Sequence, residues 1–549
     1  MLKIHRFYSI LSIVFVGCFA AGAQSAFTSS NLPIVVINTS GQTIVDDPKI
    51  VVDMGIIDNG PGVRNKVTDA FTNYNGKIGI EIRGSSSQMF PKKQYGFELQ
   101  DAAGKSVDAS LLGMPKKDDW ILFAPYNDKS LMRDVLAYKL ARAQGRYASR
   151  SRYCEVVING QYQGIYVLLE KVKRDKNRVD IAKLDPDEIS GENLTGGYII
   201  KIDKASGSGG DGWTSSFPPV GGKRGQTTYF QYEYPKEEDI VAEQKNYIKS
   251  YMNSFETALN GSNFKDPNEG YARFIDVASF IDFFLISELS KNPDAYRIST
   301  FMYKKKEADG GKLFMGPAWD FNLGFGNVDY CTKEKPEGFV LRYNSICPDD
   351  GWLIPFWWDR LFEDDAFKTK TAARWTELRN GPYKTENVLS FIDSVSTVLN
   401  AESQQRNFQK WPVLGQYVWP NAYVGQTYKQ EVDWLKAWIA QRLTWLDANI
   451  PSIITAVVPE KKETTEFSIS ISPNPVAEEM QLDYHLSTPG NVRFEWYDVM
   501  GRKVNSESYE HPMEGDFTSV SSVRSWGGGT YLLKAIFKDK VRVQRIVKR

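Results

Sequence analysis

Histidine is nearly absent from this chain. Only three of the 549 residues are histidines, His5, His485 and His511, and all of them lie outside the large central region. A site in that region therefore has no imidazole base, no Ser-His-Asp triad and no histidine-ligated zinc. The catalysts that remain are carboxylates, lysine, arginine, tyrosine and hydroxyl groups. This inventory favours phosphoryl transfer or glycoside hydrolysis.

Cysteine is also sparse, and neither sign of charge predominates. Of the four cysteines, Cys18 falls in the N-terminal apolar run, and Cys154 lies in a strand-like apolar stretch that predicts a buried, unreactive thiol. Cys331 and Cys347 flank one loop, and we predict that they pair in an oxidising compartment. Acidic and basic residues number 67 each. No global field therefore favours nucleic acid or anionic lipid as a partner.

Long apolar runs are missing everywhere except at the N-terminus. Basic residues precede the run Ile10–Phe19, and Ala21-Gly22-Ala23 then fits a small-x-small cleavage site. We therefore expect a signal peptide at residues 1–23. A lipoprotein acceptor at Cys18 is the alternative, although Phe15 stands where leucine is expected. No later segment approaches 18 uninterrupted apolar residues, so we predict no transmembrane helix after cleavage.

The apolar patterns predict a mixed chain of strands and helices. Runs of β-branched residues at Ile34–Ile37 and Ile78–Ile82 predict strands. Cys154–Ile158 and Gly164–Leu169 predict a hairpin whose connection is longer than Asn159-Gly160 alone. Helical spacing marks four further segments, Leu131–Gln144, Ile275–Leu289, Phe356–Arg379 and Val432–Ile450.

The most informative motif is the segment Gly316–Gly326, in which Asp320 and Asn322 stand among glycines and aromatic residues. A carboxylate with a nearby amide oxygen suits a hard cation such as Mg²⁺, and glycine lets the backbone turn sharply beside it. Asp294 lies upstream. An acid placed for a hydroxyl proton, followed by a metal-holding acid, is the arrangement of protein kinases. The alternative is that Asp320 caps a turn and Asp294 begins a solvated loop.

An ordered series of motifs makes a family resemblance specific. Over residues 33–450 the sequence resembles the spore coat protein H (CotH) kinase family, whose members are secreted or coat-associated atypical kinases. The resemblance implies an α+β fold with an atypical protein-kinase-like core. The motifs that carry it are Arg83-Gly84-Ser85-Ser86-Ser87, Phe90–Tyr95, Asp119–Tyr126, Leu131-Met132-Arg133, Asn159-Gly160, Gly164–Lys171, Gly196-Gly197-Tyr198, Asn292–Tyr296 and Pro317–Gly326.

The resemblance assigns roles to the two acids. It implies that Asp294 is the catalytic-loop acid and Asp320 the metal-binding acid, with ATP and Mg²⁺ or Mn²⁺ as cofactors. Ser299 stands where the family often has an asparagine as a second metal contact, and Asn322 stands where many relatives have an aspartate. Asn322 and Ser299 are therefore the further candidate metal ligands, each weaker than the residue it replaces.

The resemblance also implies a set of nucleotide-binding residues. Lys93 is the first candidate to pair with the phosphates and Lys92 the second, because strand alternation places only one of them on the ligand face. Arg133 is implied to orient this group or the phosphates. Glu170 and Lys171 are implied to follow a strand near the nucleotide cleft, where an exposed ion pair is the alternative.

The C-terminal region carries a second resemblance. After a polar stretch at 459–466, Ile471–Val476, Phe494–Val504 and Gly527–Lys534 follow in the order typical of the C-terminal sorting domain of the Bacteroidetes type IX secretion system. That domain is a small antiparallel Ig-like β-sandwich, and any other small Ig-like module is the alternative. The resemblance implies contact with the secretion machinery, passage across the outer membrane, and then release or attachment at the cell surface.

These observations lead to one expected organisation and function. We expect a signal peptide at 1–23, a CotH kinase-like domain at 24–458, a linker at 459–466 and a sorting domain at 467–549. The expected activity is an ATP-dependent protein kinase that phosphorylates Ser or Thr of exported or surface proteins.

Two alternatives to the kinase activity remain at this point. One is a surface binding or adhesion protein that keeps a kinase-like shell with little or no catalysis. The other is a glycosidase that uses Asp294 and Asp320 as its two carboxylates.

Overall fold

The chain folds as two separate units, Met1–Ser452 and Ile453–Arg549. The computed structural model describes residues 27–204, 210–222, 226–455, 467–499 and 501–549. The expected signal peptide at 1–23 and linker at 459–466 lie outside the described residues. The domain boundaries proposed from the sequence remain predictions.

A closed seven-stranded β-barrel forms the first part of the N-terminal unit. Its strands follow the order β2-β3-β5-β6-β7-β9-β8, and every neighbouring pair is antiparallel except β2 with β8. Alternate residues fill its interior: Ile78 and Ile80 lie opposite Leu99 and Phe97, and all four are buried. The strands of this region are β1 (Ser29–Ser30), β2 (Ile34–Asn38), β3 (Ile50–Ile57), β4 (Asn65–Lys66), β5 (Tyr74–Arg83), β6 (Gln94–Gln100), β7 (Asp119–Phe123), β8 (Ser151–Ile158) and β9 (Gln161–Glu170).

The hairpin between β8 and β9 has a tighter turn than the sequence suggested. Ile158 lies opposite Gln161, so Asn159 and Gly160 alone form the turn, with φ angles of 50° and 74°. Positive φ at both positions is the geometry that Asn-Gly turns favour. The expected longer connection is wrong, because a register shift at Val156 absorbs an extra residue of β9 before its apolar run begins.

A second, five-stranded antiparallel sheet follows the barrel. Its strands are β10 (Tyr198–Ile202), β11 (Gly212–Thr214), β12 (Tyr229–Tyr234), β13 (Thr300–Lys304) and β14 (Leu313–Met315), in the order β11-β12-β10-β13-β14. Ile202, the last residue of β10, pairs with Thr300, the first residue of β13. Asp203 and Ser299 therefore leave neighbouring strands at the same edge of this sheet.

Ten α-helices precede the C-terminal sandwich in the part of the chain that the structure describes. The predicted helices at 131–144 and 275–289 are observed with slightly different ends, whereas the predicted helix at 356–379 is two helices, because Asp364 accepts a hydrogen bond from Ala366 N and caps the second one. The helices are α1 (Arg133–Ala143), α2 (Gly191–Leu194), α3 (Ala242–Asn260), α4 (Val277–Ser290), α5 (Tyr343–Ile346), α6 (Trp357–Leu361), α7 (Asp365–Arg379), α8 (Thr385–Asn400), α9 (Ser403–Lys410) and α10 (Tyr428–Thr455).

The C-terminal unit is a sandwich of two antiparallel sheets with the orders β15-β16-β19 and β18-β17-β20-β21. Leu482 from one sheet and Phe494, Trp496 and Leu533 from the other belong to one buried core. The predicted small antiparallel β-sandwich is confirmed, and the chain as a whole mixes helices and sheets as expected. The strands are β15 (Phe467–Ser472), β16 (Glu479–Leu486), β17 (Gly490–Asp498), β18 (Lys503–His511), β19 (Gly515–Ser522), β20 (Gly529–Phe537) and β21 (Lys540–Lys548).

The cysteines are placed as predicted. Cys331 and Cys347 form a disulfide, and Cys154 is a buried free thiol whose pKa is raised by its burial. Among the helices that the structure describes, none combines the length and the apolar character needed to cross a bilayer.

Candidate functional site

A cleft of about 540 Å³ in the first unit collects residues from distant segments of the chain. The barrel contributes the ends of β5, β7 and β9, and the second sheet contributes residues of β10 and β12. Helix α1 and several loops also contribute. Its polar lining includes Glu81, Arg83, Ser85, Ser86, Ser87, Asn127, Asp134, Tyr138, Lys171, Lys201, Asp203, Lys204, Glu233, Asp294, Ser299, Asp320 and Asn322.

Both acids that the sequence singled out line this cleft. Asn292 joins Asp294 to Asp320: its Nδ2 donates to the main-chain oxygen of Asp320 at 3.0 Å, and its Oδ1 accepts from Asp294 N at 3.3 Å. Ser299 Oγ donates to Asp320 Oδ2 at 3.4 Å, and Asn322 also lines the cleft. The structure therefore brings together all four residues that were predicted as catalytic acid and metal ligands.

Helix α1 holds the loop that carries Asp320. Asp320 N donates to Tyr138 Oη at 3.2 Å, and Phe321 N donates to Asp134 Oδ1 at 2.6 Å. Asp320 itself has a φ of 62°, in the left-handed region where few residues other than glycine, asparagine and aspartate are found. This conformation costs energy, which is offset by the two hydrogen bonds from the loop to α1.

The electrostatics around Asp320 favour a bound cation. The pKa of Asp320 is raised to about 6, mainly because the carboxyl group is buried and secondly because Asp294 is negatively charged. The positive charge of Arg83 opposes this shift. Burying carboxylates close together without a full complement of positive charge is unfavourable. A divalent cation would supply the missing charge.

The donor set fits Mg²⁺ better than a fully protein-ligated metal. Asp320 supplies a carboxylate and Ser299 a hydroxyl, while Asn322 directs Nδ2 to Asn127 Oδ1 at 3.3 Å and has its own Oδ1 left for a cation. Within the described ranges, no group of three or more His, Cys, Asp or Glu residues is arranged as a metal site. One or two protein carboxylates, completed by phosphate and water oxygens, is the way Mg²⁺ is usually bound.

Arg297 holds the other acid in place. The guanidinium is 3% exposed, and its Nη2 donates to Asp294 Oδ1 at 3.0 Å. Its Nη1 donates to Asp350 Oδ1 at 3.1 Å and to Trp352 O at 3.0 Å. Asp294 Oδ2 has no donor among the described residues, so this oxygen is the one available to a substrate hydroxyl.

Two cations in the cleft have no hydrogen-bonded or ion-paired partner among the described residues, although Arg83 lies over the ring of Trp319 at 5.7 Å from its centroid. Within the part of the chain that the structure describes, the side chains of Arg83 and Lys171 form neither a hydrogen bond nor an ion pair, although both are half-buried. Burial lowers the pKa of each. Cationic side chains that have no ion-pair partner can bind phosphate oxygens. A phosphate can in turn connect such side chains with a metal ion that is held by neighbouring carboxylates.

The loop after Arg83 adds further donors beside these cations. Gly84 has a φ of 103°, and a Cβ there would lie 2.0 Å from Ser87 Oγ, so this position requires glycine. Ser85, Ser86 and Ser87 follow along the cleft wall. Their hydroxyl and backbone N–H groups are the kind of donors that cover phosphates.

The two lysines predicted to bind phosphate do not line the cleft. Lys92 is 2% exposed, and its Nζ donates to Ile165 O at 2.6 Å and Asn407 Oδ1 at 2.9 Å. Lys93 Nζ donates to Gln88 O at 2.6 Å. Strand alternation did not apply to this pair, because β6 begins only at Gln94 and both lysines precede it.

Arg133 and Glu170 also lie outside the cleft lining and form buried ion pairs instead. Arg133 is 1% exposed, and its Nη1 donates to Asp128 Oδ1 at 2.5 Å at the start of α1. Glu170 is fully buried at the end of β9 and accepts from Arg150 Nη1 at 2.6 Å. Only Lys171 of the predicted nucleotide-binding residues lines the cleft.

Arg83 and Asp203 line the cleft, although neither was predicted from the sequence as a site residue. Arg83 belongs to the motif Arg83–Ser87, and its position at the end of a predicted strand was the available signal. Asp203 stands in no motif. It reaches the cleft only because β10 pairs with β13, and burial raises its pKa.

Two family models match the chain. The model described as CotH kinase protein matches residues 80–446, which is more than half of the chain. The model described as Secretion system C-terminal sorting domain matches residues 470–549. Both resemblances predicted from the sequence are thereby confirmed. A search of curated proteins returned no match.

Proposed function

Because the chain belongs to the CotH kinase protein family, we propose that it is an atypical kinase with a kinase-like core that transfers the γ-phosphate of ATP to Ser or Thr of exported or surface proteins. The observation that carries this proposal is the pair of unpaired cations, Arg83 and Lys171, in one cleft with Asp294 and Asp320. Carboxylates alone would suit many reactions. Carboxylates beside unpaired cations suit a phosphate substrate with a divalent metal.

Five polar residues of the cleft hold the metal and the phosphates in this proposal. Asp320, with Ser299 and Asn322, would hold Mg²⁺ or Mn²⁺, which when bound supplies neutralising charge between the phosphates. Lys171 and Arg83 bind phosphate oxygens, a role proposed from the sequence for Lys92 and Lys93, which do not line the cleft. Together these residues position the γ-phosphate.

Asp294 is the proposed general base. Its Oδ2 accepts the proton of the acceptor hydroxyl. At the same time the hydroxyl oxygen of the substrate bonds to the γ-phosphorus, and the bond between the γ-phosphorus and the ADP oxygen breaks. Arg297 fixes the carboxylate through Oδ1 and thereby holds Oδ2 toward the incoming hydroxyl. Arg297 is a positioning residue, since it acts through Asp294.

The sorting domain determines where this protein works. Residues 470–549 match a secretion sorting domain, which indicates export by the type IX secretion system to the cell surface or the extracellular space. We propose that residues 1–23 are removed as a signal peptide, that 24–458 and 467–549 are the kinase-like and sorting domains, and that the substrates are proteins exported along the same route.

One observation favours a second candidate, a surface binding protein with little turnover. Ser299 is a shorter ligand than the asparagine found in many relatives, and Asn322 lacks the charge of an aspartate. Both changes weaken metal binding. A protein that keeps the cleft but binds metal loosely would act by binding rather than by phosphate transfer.

Nucleotide binding tests the proposal directly. ATP with Mg²⁺ or Mn²⁺ should raise the melting temperature of the wild type, since a ligand that binds only the folded state stabilises it. Lys171→Met should remove most of this shift, whereas the matched variant Lys93→Met should keep it. No shift with either metal at millimolar ATP, or an equal loss in both variants, would contradict the proposed site.

Phosphate transfer tests the role of the base. Asp294→Asn should retain metal-dependent ATP binding and lose radiolabelled phosphate incorporation by orders of magnitude, because the base acts in the chemical step. Asp320→Ala should lose binding itself. If Asp294→Asn transfers phosphate at the wild-type rate, the mechanism is wrong.

A further inference from the structure

A second, smaller cavity of about 130 Å³ lies beside the segment that leads into Asp320. Ala141 of α1, Ile286 of α4, Met315 and Pro317 form an apolar wall, and all but Pro317 are at most 4% exposed while Pro317 is buried. The half-buried Lys305 and the exposed Asp180 lie on its solvent side. It shares no lining residue with the cleft.

Arg178 lines this cavity with an unsatisfied donor. The residue is 3% exposed, and its Nη1 donates to Asp119 O at 2.9 Å and to Lys171 O at 3.0 Å. Its Nη2 is buried and has no hydrogen-bond partner among the described residues. A buried, unpaired guanidinium nitrogen is costly, and such groups in folded proteins usually have a partner.

The charges around the cavity favour an anion as that partner. Arg146 is neutralised by Asp282 at 2.7 Å, and Asp282 also accepts from Arg374 at 2.8 Å. Lys305, by contrast, forms no ion pair with any residue that the structure describes. Arg178 Nε lies 3.8 Å from Glu170 Oε1, but Arg150 Nη1 contacts the same oxygen at 2.6 Å, so two guanidinium groups share one carboxylate. Arg178 and Lys305 therefore remain without a full complement of negative charge.

We propose that this cavity binds a small organic carboxylate. Arg178 Nη2 and Lys305 contact the carboxylate, and the wall formed by Ala141, Ile286 and Met315 contacts a short aliphatic or aromatic body. The apolar wall distinguishes this ligand from inorganic phosphate, which would leave polar oxygens against hydrocarbon. Charge-assisted hydrogen bonds to a buried guanidinium are among the stronger polar contacts in proteins.

The cavity is connected to the cleft by three covalent or hydrogen-bonded links. Arg178 holds the main chain of Lys171 through Nη1. Pro317 and Ala318 of the cavity wall continue directly into Trp319 and Asp320. Helix α1 presents Ala141 to the cavity and Tyr138 to Asp320 N. A bound carboxylate should therefore change nucleotide affinity. This coupling rests on the proposed function, whereas the binding itself does not.

Direct binding tests the cavity without nucleotide. Equilibrium dialysis of the full chain with radiolabelled benzoate should show one saturable site, and the neutral isostere benzamide should bind at least about tenfold more weakly because it lacks the charge. Lys305→Ala should weaken benzoate binding several-fold, while the exposed Lys370→Ala, away from the cavity, should not. No saturable benzoate binding, or benzamide binding of equal strength, overturns the proposal.

A cavity-filling variant protects this test against a folding artefact. Ala141→Leu adds volume to the apolar wall and removes no polar contact, so it should abolish benzoate binding while the circular dichroism spectrum and a cooperative melt persist. Unchanged benzoate binding in a folded Ala141→Leu variant would place the ligand elsewhere and overturn the assignment.

The coupling has its own measurement. Benzoate should change the ATP dissociation constant by the same factor by which ATP changes that of benzoate, as linkage requires. If benzoate binds and ATP does not, the proposed kinase function fails and the carboxylate site stands. If both bind with no mutual effect, the coupling is wrong.

Discussion

Arg297 Nη2 lies 3.0 Å from Asp294 Oδ1, and Nη1 of the same guanidinium donates to Asp350 Oδ1. The hydroxyl group of Tyr343 donates to Asp350 Oδ2 at 2.5 Å. Tyr343 lies within the loop closed by Cys331 and Cys347, and Asp350 lies three residues beyond Cys347. The proposed base is therefore positioned by a segment outside the cleft lining. That segment would be expected to affect the chemical step without contacting the nucleotide.

The first prediction concerns Asp350. Asp350→Asn removes the charge that anchors Arg297, so Asp294 should be less well oriented and kcat for phosphate transfer should fall about tenfold. KM for ATP should change little, because Asp350 does not line the cleft. The exposed neighbour Asp349, changed to Asn, is the matched control. A rise in KM with unchanged kcat would show that Asp350 acts on nucleotide binding instead.

The second prediction concerns the pH dependence of Asp320. Its pKa is raised to about 6 in the folded protein, above the ordinary value of an aspartate. The folded chain therefore binds this proton more tightly than the unfolded chain, and the contribution of Asp320 to stability falls as pH rises from about 4 to about 6. Asp320→Asn should stabilise the ligand-free protein by on the order of 1 kcal/mol at about pH 7.5, and this gain should vanish near pH 4.

Chemical denaturation of wild type and Asp320→Asn at both pH values measures this difference. Metal binding should show the opposite trend: Mg²⁺ affinity of the wild type should increase as pH rises through about 6, because the carboxylate must lose its proton to bind. A variant that is less stable than wild type at about pH 7.5 would mean that Asp320 is already compensated in the folded protein.

The third prediction concerns Ser299. This residue has a φ of 49°, a left-handed conformation that asparagine adopts more readily than serine. Ser299→Asn should therefore fit the backbone and place an amide oxygen near Asp320, so that ATP binding with Mg²⁺ or Mn²⁺ strengthens several-fold and autophosphorylation increases. Ser299→Ala, which removes the hydroxyl, should weaken both. Equal behaviour of the two variants would exclude Ser299 from the metal site.

The fourth prediction concerns the disulfide. Cys331 and Cys347 are 16 residues apart. Closing a loop of this size lowers the entropy of the unfolded chain and thereby stabilises the folded state by about 3 kcal/mol. The double variant Cys331→Ala, Cys347→Ala should lower the melting temperature, and dithiothreitol should lower that of the wild type by a similar amount. Dithiothreitol should leave the double variant unchanged. A further decrease in the double variant would point to a second reducible group.

Local signals in the sequence were sufficient for several features. The order of motifs predicted the family, and the spacing of Cys331 and Cys347 within one loop predicted their bond. The start Pro473-Asn474-Pro475 and the centre Tyr497–Arg502 predicted the sorting domain. Asp294 and Asp320 could be proposed as partners because each stands in its own short motif. These features depend on residues that are close together in the chain.

The choice of phosphate-binding cations could not be made in this way. The family resemblance pointed to Lys93 and then Lys92, because they stand in a strand-like context. In the structure β6 begins after them, and Lys92 is held by Asn407, more than 300 residues away. Arg83 is the last residue of β5, and Lys171 is the first residue after β9. Both lie in the cleft because these two strands end at the cleft wall. The position of a strand end is a property of the whole barrel.

The sequence by itself determined the family, the disulfide and the two acids of the cleft. It also determined that a β-sandwich follows a region that mixes helices and strands. Tertiary structure alone decided which cations meet those acids, brought Asp203 to Ser299 through the pairing of β10 with β13, and left Arg178 with an unpaired nitrogen in a separate cavity. The physical reason is that side-chain direction and burial depend on strand register and on contacts between distant segments. A local pattern specifies which residues are present but not which of them face one another.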